Sequence, residues 1–193
     1  MIVSADGAAS LQVRSGGLGS PTDKALFATL RSLADVVLVG AGTMRAEGYG
    51  PARLSEEARA RRRAWGLPSV PPIAVITRSC RLDWCARFFT EAEQRPLVVT
   101  VGSAAAADRA RTAEVADVII AGDDDVDLPR AVSALAERGH TNVLSEGGPG
   151  IAVQLAAAGL LDQVCLTVAP PLALELGHVL EADGYLFLGY RRR

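Results

Sequence analysis

Hydrophobic residues along this chain fall into short unbroken runs, separated by longer stretches in which they recur every three or four positions. Val36–Val39, Ile73–Ile76, Leu97–Val101, Val118–Ile120, Asn142–Leu144 and Val164–Val168 are apolar segments of strand length. Runs that are apolar on both faces suit strands covered by helices on each side. Between them, Pro21–Ala34 sets Ala25, Leu26, Leu30 and Leu33 at helical spacing, and Ala104–Thr112, Leu128–Glu137 and Gly150–Ala158 read likewise. Strands alternating with helices predict an α/β fold around a mostly parallel sheet.

The end of the chain breaks that rhythm. Gln163–Ala169, Leu174–Glu181 and Tyr185–Tyr190 follow one another without a helix between them. Glu181-Ala182-Asp183-Gly184 joins the last two, and Asp-Gly supplies the positive φ that a tight hairpin turn needs. The sheet is therefore expected to be mixed, closing on an antiparallel hairpin. Glu56–Trp65, with four arginines, reads as a charged exposed helix, followed by a connector through Pro68, Pro71 and Pro72. No internal repeat and no second domain is visible, so one domain over residues 1–193 is expected.

Composition narrows the function classes. A chain of 193 residues, 49% hydrophobic, can bury roughly 70% of its unfolded surface and needs no disulfide or metal to fold. Its net charge of −2 gives no reason to expect nucleic acid or an anionic membrane as a partner. Cys80, Cys85 and Cys165 lack zinc-site spacing and read as reduced thiols. No apolar run reaches the ~18 residues of a membrane span, and Met1–Asp6 lacks the character of a signal peptide. A cytoplasmic protein is expected.

Three turns carry candidate chemistry, each directly after an apolar run: Gly40-Ala41-Gly42-Thr43, Thr77-Arg78-Ser79 and Glu146-Gly147-Gly148-Pro149-Gly150. Ligands bind at the carboxyl ends of strands in open α/β sheets. Glycines there let backbone approach a diphosphate, and the helix predicted from Gly150 offers free N–H donors. A guanidinium with two hydroxyls, as in Thr77-Arg78-Ser79, is what a 2′-phosphate wants. Any one of these is most simply an ordinary turn; the three together point to a nucleotide. They do not form a Rossmann fingerprint, because the third glycine and the acidic residue of that motif are missing.

Ser4-Ala5-Asp6-Gly7, Arg14-Ser15-Gly16-Gly17, Asp35 through Thr43, Thr77-Arg78-Ser79, Glu146-Gly147-Gly148-Pro149 and His178-Val179-Leu180-Glu181 occur in the order found in the riboflavin-biosynthesis pyrimidine reductases. The chain resembles the stand-alone actinobacterial type of that family over essentially its whole length. The resemblance implies a dihydrofolate-reductase-like three-layer fold, NADPH as hydride donor, a small-molecule substrate and a homodimer. It places Gly40, Gly42 and Thr43 on the diphosphate and nicotinamide side of the cofactor, and Thr77, Arg78 and Ser79 at the 2′-phosphate. Gly147 and Gly148 fall at the diphosphate, with Gly102 and Pro149 completing the cofactor set. Ser4, Arg14, Ser15 and Arg45 are the substrate-side candidates, the last three for a substrate phosphate.

The chain also departs from the family pattern. Pro170-Pro171-Leu172 runs straight into Ala173-Leu174-Glu175, where the family has a Gly-rich loop of a dozen or more residues. A lysine that precedes Ser-x-Asp-Gly in the bifunctional relatives would fall before Met1. The His-x-Glu and Pro-Cys-x-x-Cys motifs of the zinc deaminases do not occur in these residues, so no metal site and no deamination is expected of them.

A hydride reductase usually needs an acid to deliver or orient a proton. Asp6, Asp23 and Glu146 are the candidates. Asp6 sits in a turn, and Asp23 follows Ser20-Pro21 in a pattern that also suits a helix cap. Glu146 follows a buried strand, where desolvation raises a carboxyl's pKa, unless neighbouring N–H groups satisfy it. His140 reads as a helix-end residue and His178 as packing. Three functions remain: reduction of the ribosylamino side chain of a phosphorylated pyrimidine, reduction of a pterin such as dihydrofolate, and NADPH sensing without catalysis.

Overall fold

The computed structural model describes residues 1–5, 7, 18–170 and 174–192. The expectations placed on Asp6, Arg14 and Ser15, and on the junction at 171–173, lie outside the described residues. The chain forms two compact units, one of residues 1–24 with 163–193 and one of residues 25–162.

The elements run β1 (Ile2–Ser4), α1 (Pro21–Leu33), β2 (Val36–Gly40), α2 (Ala41–Glu47), α3 (Glu56–Ala64), β3 (Ile73–Ile76), α4 (Arg87–Thr90) and β4 (Leu97–Thr100). There follow α5 (Ala106–Val115), β5 (Asp117–Ile120), α6 (Leu128–Ala136), β6 (Val143–Ser145), α7 (Pro149–Ala157), β7 (Thr167–Ala169), β8 (Leu174–Ala182) and β9 (Tyr185–Arg192). Five of the six expected apolar runs become strands within two residues of their expected ends. The sixth keeps only Thr167–Ala169 as strand, with Val164 and Leu166 outside it and more than half exposed.

The larger unit is built on a five-stranded sheet, all parallel, in the order β5-β4-β3-β2-β6. Strand alternation divides its core in two. Val37, Val39, Val75 and Val98 point to one face, under Met44 of α2 and Phe88 and Phe89 of α4. Val36, Leu38, Ala74, Leu97 and Val99 point to the other, under Ala131 and Leu135 of α6. Helices therefore cover both faces, the reason the inner strands tolerate no polar alternation.

The charged helix α3 is not exposed all round. Ala58 and Arg62, four residues apart on one side, are buried. Arg62 donates to the carbonyls of Ser32 and Ala34 at 3.0 and 2.6 Å and of Pro68 at 2.7 Å, satisfying the end of α1. Its burial is a packing device rather than an anion site.

In the smaller unit β1 pairs in parallel with β7, Ser4 opposite Ala169. The antiparallel hairpin β8–β9 forms its own ladder, with Ala182 opposite Tyr185. Asp183 and Gly184 both take positive φ, 53° and 78°, as the Asp-Gly turn requires. The exposed His178 ring lies over Gly189, in the space a Cβ there would take. Among the described residues no helix is long and apolar enough to cross a membrane.

Candidate functional site

Strand order locates the site. From β2 the chain moves outward through β3 and β4 to β5, then returns to place β6 on the other side of β2. The order therefore reverses between β2 and β6, and it is in the crevice beyond the carboxyl ends of such a strand pair that open α/β sheets bind ligands. Both glycine-rich turns lead out of these two strands. Gly40 ends β2 and starts α2; Gly147 and Gly148 follow β6 and start α7.

The two turns are joined to each other. The Gly148 backbone N–H donates to Thr43 Oγ1 at 3.1 Å, and the Glu146 N–H donates to the Leu38 carbonyl at 2.8 Å. Ile151 packs between them, which explains two of the glycines. A Cβ on Gly40 would lie 2.7 Å from Ile151 Cδ1, and one on Gly147 would lie 2.8 Å from Ile151 Cβ. Gly42 differs: a Cβ there would meet nothing within 4 Å, so its lack of a side chain answers to no neighbour in the fold. Neither α2 nor α7 has a side-chain cap. Pro149 has no N–H to satisfy, and Ile151 and Ala152 donate to the Gly148 carbonyl at 3.0 and 3.2 Å, so among the described residues the Gly150 N–H is the amide of that first helical turn without a protein acceptor. These features fit a diphosphate.

Beyond β2, the carboxyl end of β3 holds the second motif. Thr77 is buried and continues the ladder through its N–H to the Val99 carbonyl at 2.9 Å. Ser79 Oγ accepts from the Arg81 N–H at 3.3 Å, closing a local turn. Arg78 is exposed and donates to Asp125 Oδ1 at 3.1 Å. Asp125 belongs to a loop that Gly102 and Ser103 hold, donating to the carbonyls of Gly122 and Asp123 at 2.9 and 2.8 Å. Gly102 thus has a scaffolding duty at the end of β4, beyond the expected one.

Glu146 sits at the crevice wall, its side chain 3% exposed. Arg31, in the last turn of α1, grips it with a fork, Nε to Oε1 at 2.7 Å and Nη2 to Oε2 at 2.6 Å. The same Nη2 donates to the Tyr49 hydroxyl at 2.7 Å. The guanidinium carbon lies 4.6 Å from the Phe27 ring centre and 5.5 Å from that of Tyr49. Burial pushes the Glu146 carboxyl above the usual range, and the hydrogen bonds and charge of Arg31 oppose this without cancelling it. Sequence reasoning foresaw the desolvation but not the partner. Phe27 and Arg31 at i,i+4 were the one local signal, and the other half of the pair lies 115 positions away.

Of the remaining candidates, Asp23 is in the first turn of α1, where its N–H donates to Ser20 Oγ at 3.1 Å, half of the expected capping box. Ser4 ends β1, and its carbonyl accepts from the Gly7 N–H at 2.8 Å. Arg45 is exposed on α2.

Known proteins are similar to this chain in sequence and fold. A curated relative from Archaeoglobus fulgidus, the 2,5-diamino-6-ribosylamino-4(3H)-pyrimidinone 5′-phosphate reductase, is 28% identical over 141 residues, 73% of this chain and 64% of its own length. The chain thus spans just under two thirds of that relative. A pyrimidine reductase-like protein from Corynebacterium diphtheriae superposes with a TM-score of 0.78 at 26% identity, over 99% of this chain and 88% of the other. The Thermotoga maritima diaminohydroxyphosphoribosylaminopyrimidine deaminase/5-amino-6-(5-phosphoribosylamino)uracil reductase shares the fold, with a TM-score of 0.60 at 18% identity, over 100% of this chain and 55% of that one. The RibD C-terminal domain family matches residues 1–174, and the chain belongs to that family.

Proposed function

We propose that this protein is an NADPH-dependent reductase of a ribosylaminopyrimidine phosphate, transferring hydride to the ribosylamino side chain. One observation carries the reading: the strand order reverses between β2 and β6, and the two glycine turns leaving them are stitched by the Thr43–Gly148 bond. The relatives named as pyrimidine reductases support the substrate class.

Bound there, NADPH supplies the hydride. Gly40, Gly42 and Thr43 would hold its diphosphate and nicotinamide side, and Gly147, Gly148 and Pro149 its diphosphate. Thr77, Arg78 and Ser79 would hold the 2′-phosphate, and Gly102 completes the cofactor set. To substrate binding we assign Ser4, Arg14, Ser15 and Arg45, and to handling of the proton Asp6, Asp23 or Glu146. The enzyme works in the cytoplasm as a homodimer. The hairpin supports the pairing, since Val179, Leu180, Leu186 and Phe187 leave apolar surface exposed on both of its faces.

The test is NADPH oxidation by the purified protein with the ribosylaminopyrimidine phosphate, dihydrofolate serving as control. Turnover of the pyrimidine alone is expected; turnover of dihydrofolate alone, or of neither, contradicts the reading. Arg78→Ala is expected to weaken NADPH binding about tenfold more than NADH, the loss of one charged hydrogen bond. Equal weakening of both removes the 2′-phosphate assignment.

A further inference from the structure

Helix α1 carries Arg31, yet apolar packing does little to hold it in place. Of its residues 25–33 only Ser32 is buried, while Leu26, Phe27 and Leu33 are 40–49% exposed. A helix with so little apolar burial depends on other contacts for its position. Those contacts gather in the last turn, where the carbonyls have no helical partner. Arg62 of α3 donates from Nη1 to the Ser32 and Ala34 carbonyls at 3.0 and 2.6 Å, and Asn142 Nδ2 donates to the Leu33 carbonyl at 2.9 Å. Arg31 directly precedes Ser32, so its fork on Glu146 starts from the backbone that Arg62 grips. The Arg62 Nε also donates to the Pro68 carbonyl at 2.7 Å, which ties the same guanidinium to the connector after α3.

Space filling does not explain an arginine at this buried position. Burial works against its charge, Asp35 offsets this in part, and Nη2 has no partner among the described residues. An apolar side chain of similar volume often serves a core as well or better. What the guanidinium alone supplies is a rigid set of donors, shared here between two carbonyls of the α1 end and that of Pro68. We infer that Arg62 is a positioning residue for the reaction: without touching substrate it fixes the last turn of α1, and thereby the Arg31–Glu146 fork. This rests on the function proposed above, in which Glu146 is among the groups assigned to the proton. Misplacing a reacting group by about 1 Å can cost on the order of a hundredfold in rate, which gives such a tether its leverage.

The experiment compares the full chain with Arg62→Met and Arg62→Lys. It follows solvent exchange of the Arg31 Nε–H by NMR, the NADPH Kd, and kcat/KM for the ribosylaminopyrimidine phosphate. In the wild type the Arg31 Nε–H is expected to exchange slowly, held by Glu146. Arg62→Met is expected to speed that exchange about tenfold and to lower kcat/KM about ten- to hundredfold, with the NADPH Kd unchanged. Arg62→Lys keeps a cation with hydrogen-bond donors and is expected to lie between the two, a few-fold from wild type in both readouts. It gives a second reading should Arg62→Met fold poorly. A purely structural role lowers Tm and leaves the Arg31 signal where it was. Unchanged Arg31 exchange, kcat/KM retained despite faster exchange, or equal losses of kcat/KM and NADPH affinity overturns the inference while the proposed function stands. A wild type that turns over no pyrimidine overturns the proposed function, and the exchange measurement then still decides the tether.

Discussion

The two ends of β2 and β6 each hold a carboxylate, and they treat it in opposite ways. At the amino end, Asp35 accepts from the Thr141 and Asn142 N–H groups at 2.9 and 2.8 Å and from Thr141 Oγ1 at 3.1 Å. Burial would raise its pKa, but these hydrogen bonds and the nearby His140 hold it below the usual carboxylate range. At the carboxyl end, Glu146 has one partner, a deeper position and a pKa pushed up. The first arrangement leaves nothing for a ligand to do. The second stands at the end of the sheet that also holds Gly42, whose side-chain space no neighbour fills, the condition expected of a site rather than a clamp.

The largest expected contrast is Asp35→Ala. It strands three donors and is expected to cost about 1–3 kcal/mol, lowering Tm by about 2–4 °C per kcal/mol, with NADPH affinity unchanged. Thermal denaturation with a nucleotide titration checks it; a fall in affinity at retained fold would blur the division between the ends.

Gly42→Ala is expected to do the reverse. Nothing stands within 4 Å of its Cβ position and the residue is helical, so stability should rise by about 0.4–1 kcal/mol. NADPH affinity is nevertheless expected to fall about tenfold if, as proposed, backbone there approaches the diphosphate. A variant that is more stable and binds normally would detach α2 from the cofactor.

The two carboxylates also predict opposite pH slopes in denaturant titrations. Asp35 is depressed when folded, so its contribution is complete above the ordinary aspartate value and is lost as pH falls below about 4. Glu146 is raised, so stability is highest below the ordinary glutamate value and declines as pH climbs through the folded one. Glu146→Gln is expected to flatten that decline, and an unchanged slope would show that Glu146 titrates normally.

The smallest effect concerns Asp125. Its ion pair with Arg78 is exposed on both sides, and such pairs contribute about 0–1 kcal/mol. Asp125→Asn is therefore expected to tighten NADPH binding up to roughly fivefold, with NADH unaffected. Equal changes for both nucleotides would place Asp125 away from the 2′-phosphate.

Elements whose physics is local were legible in the sequence. The buried parallel strands showed as unbroken apolar runs, the last turn as Asp183-Gly184, and the ligand-side turns as glycines after strands. Helix α2 was not legible, because two glycines in Gly40–Thr43 lower helix propensity, and burial of Ala41 and Met44 under the sheet overrides that. Arg62 was hidden among four arginines; only its spacing from Ala58 marks the inward side. Arg31 could be seen beside Phe27, but the choice of Glu146 as partner depends on β6 returning next to β2, a matter of topology that no local pattern encodes.

Amide hydrogen exchange with and without NADPH tests most directly that the crevice between β2 and β6 is the cofactor site. New protection at residues 40–43 and 147–152, with none at Thr141 and Asn142, is the predicted result. Protection that appears at the amino end, or that spares both glycine turns, would contradict it.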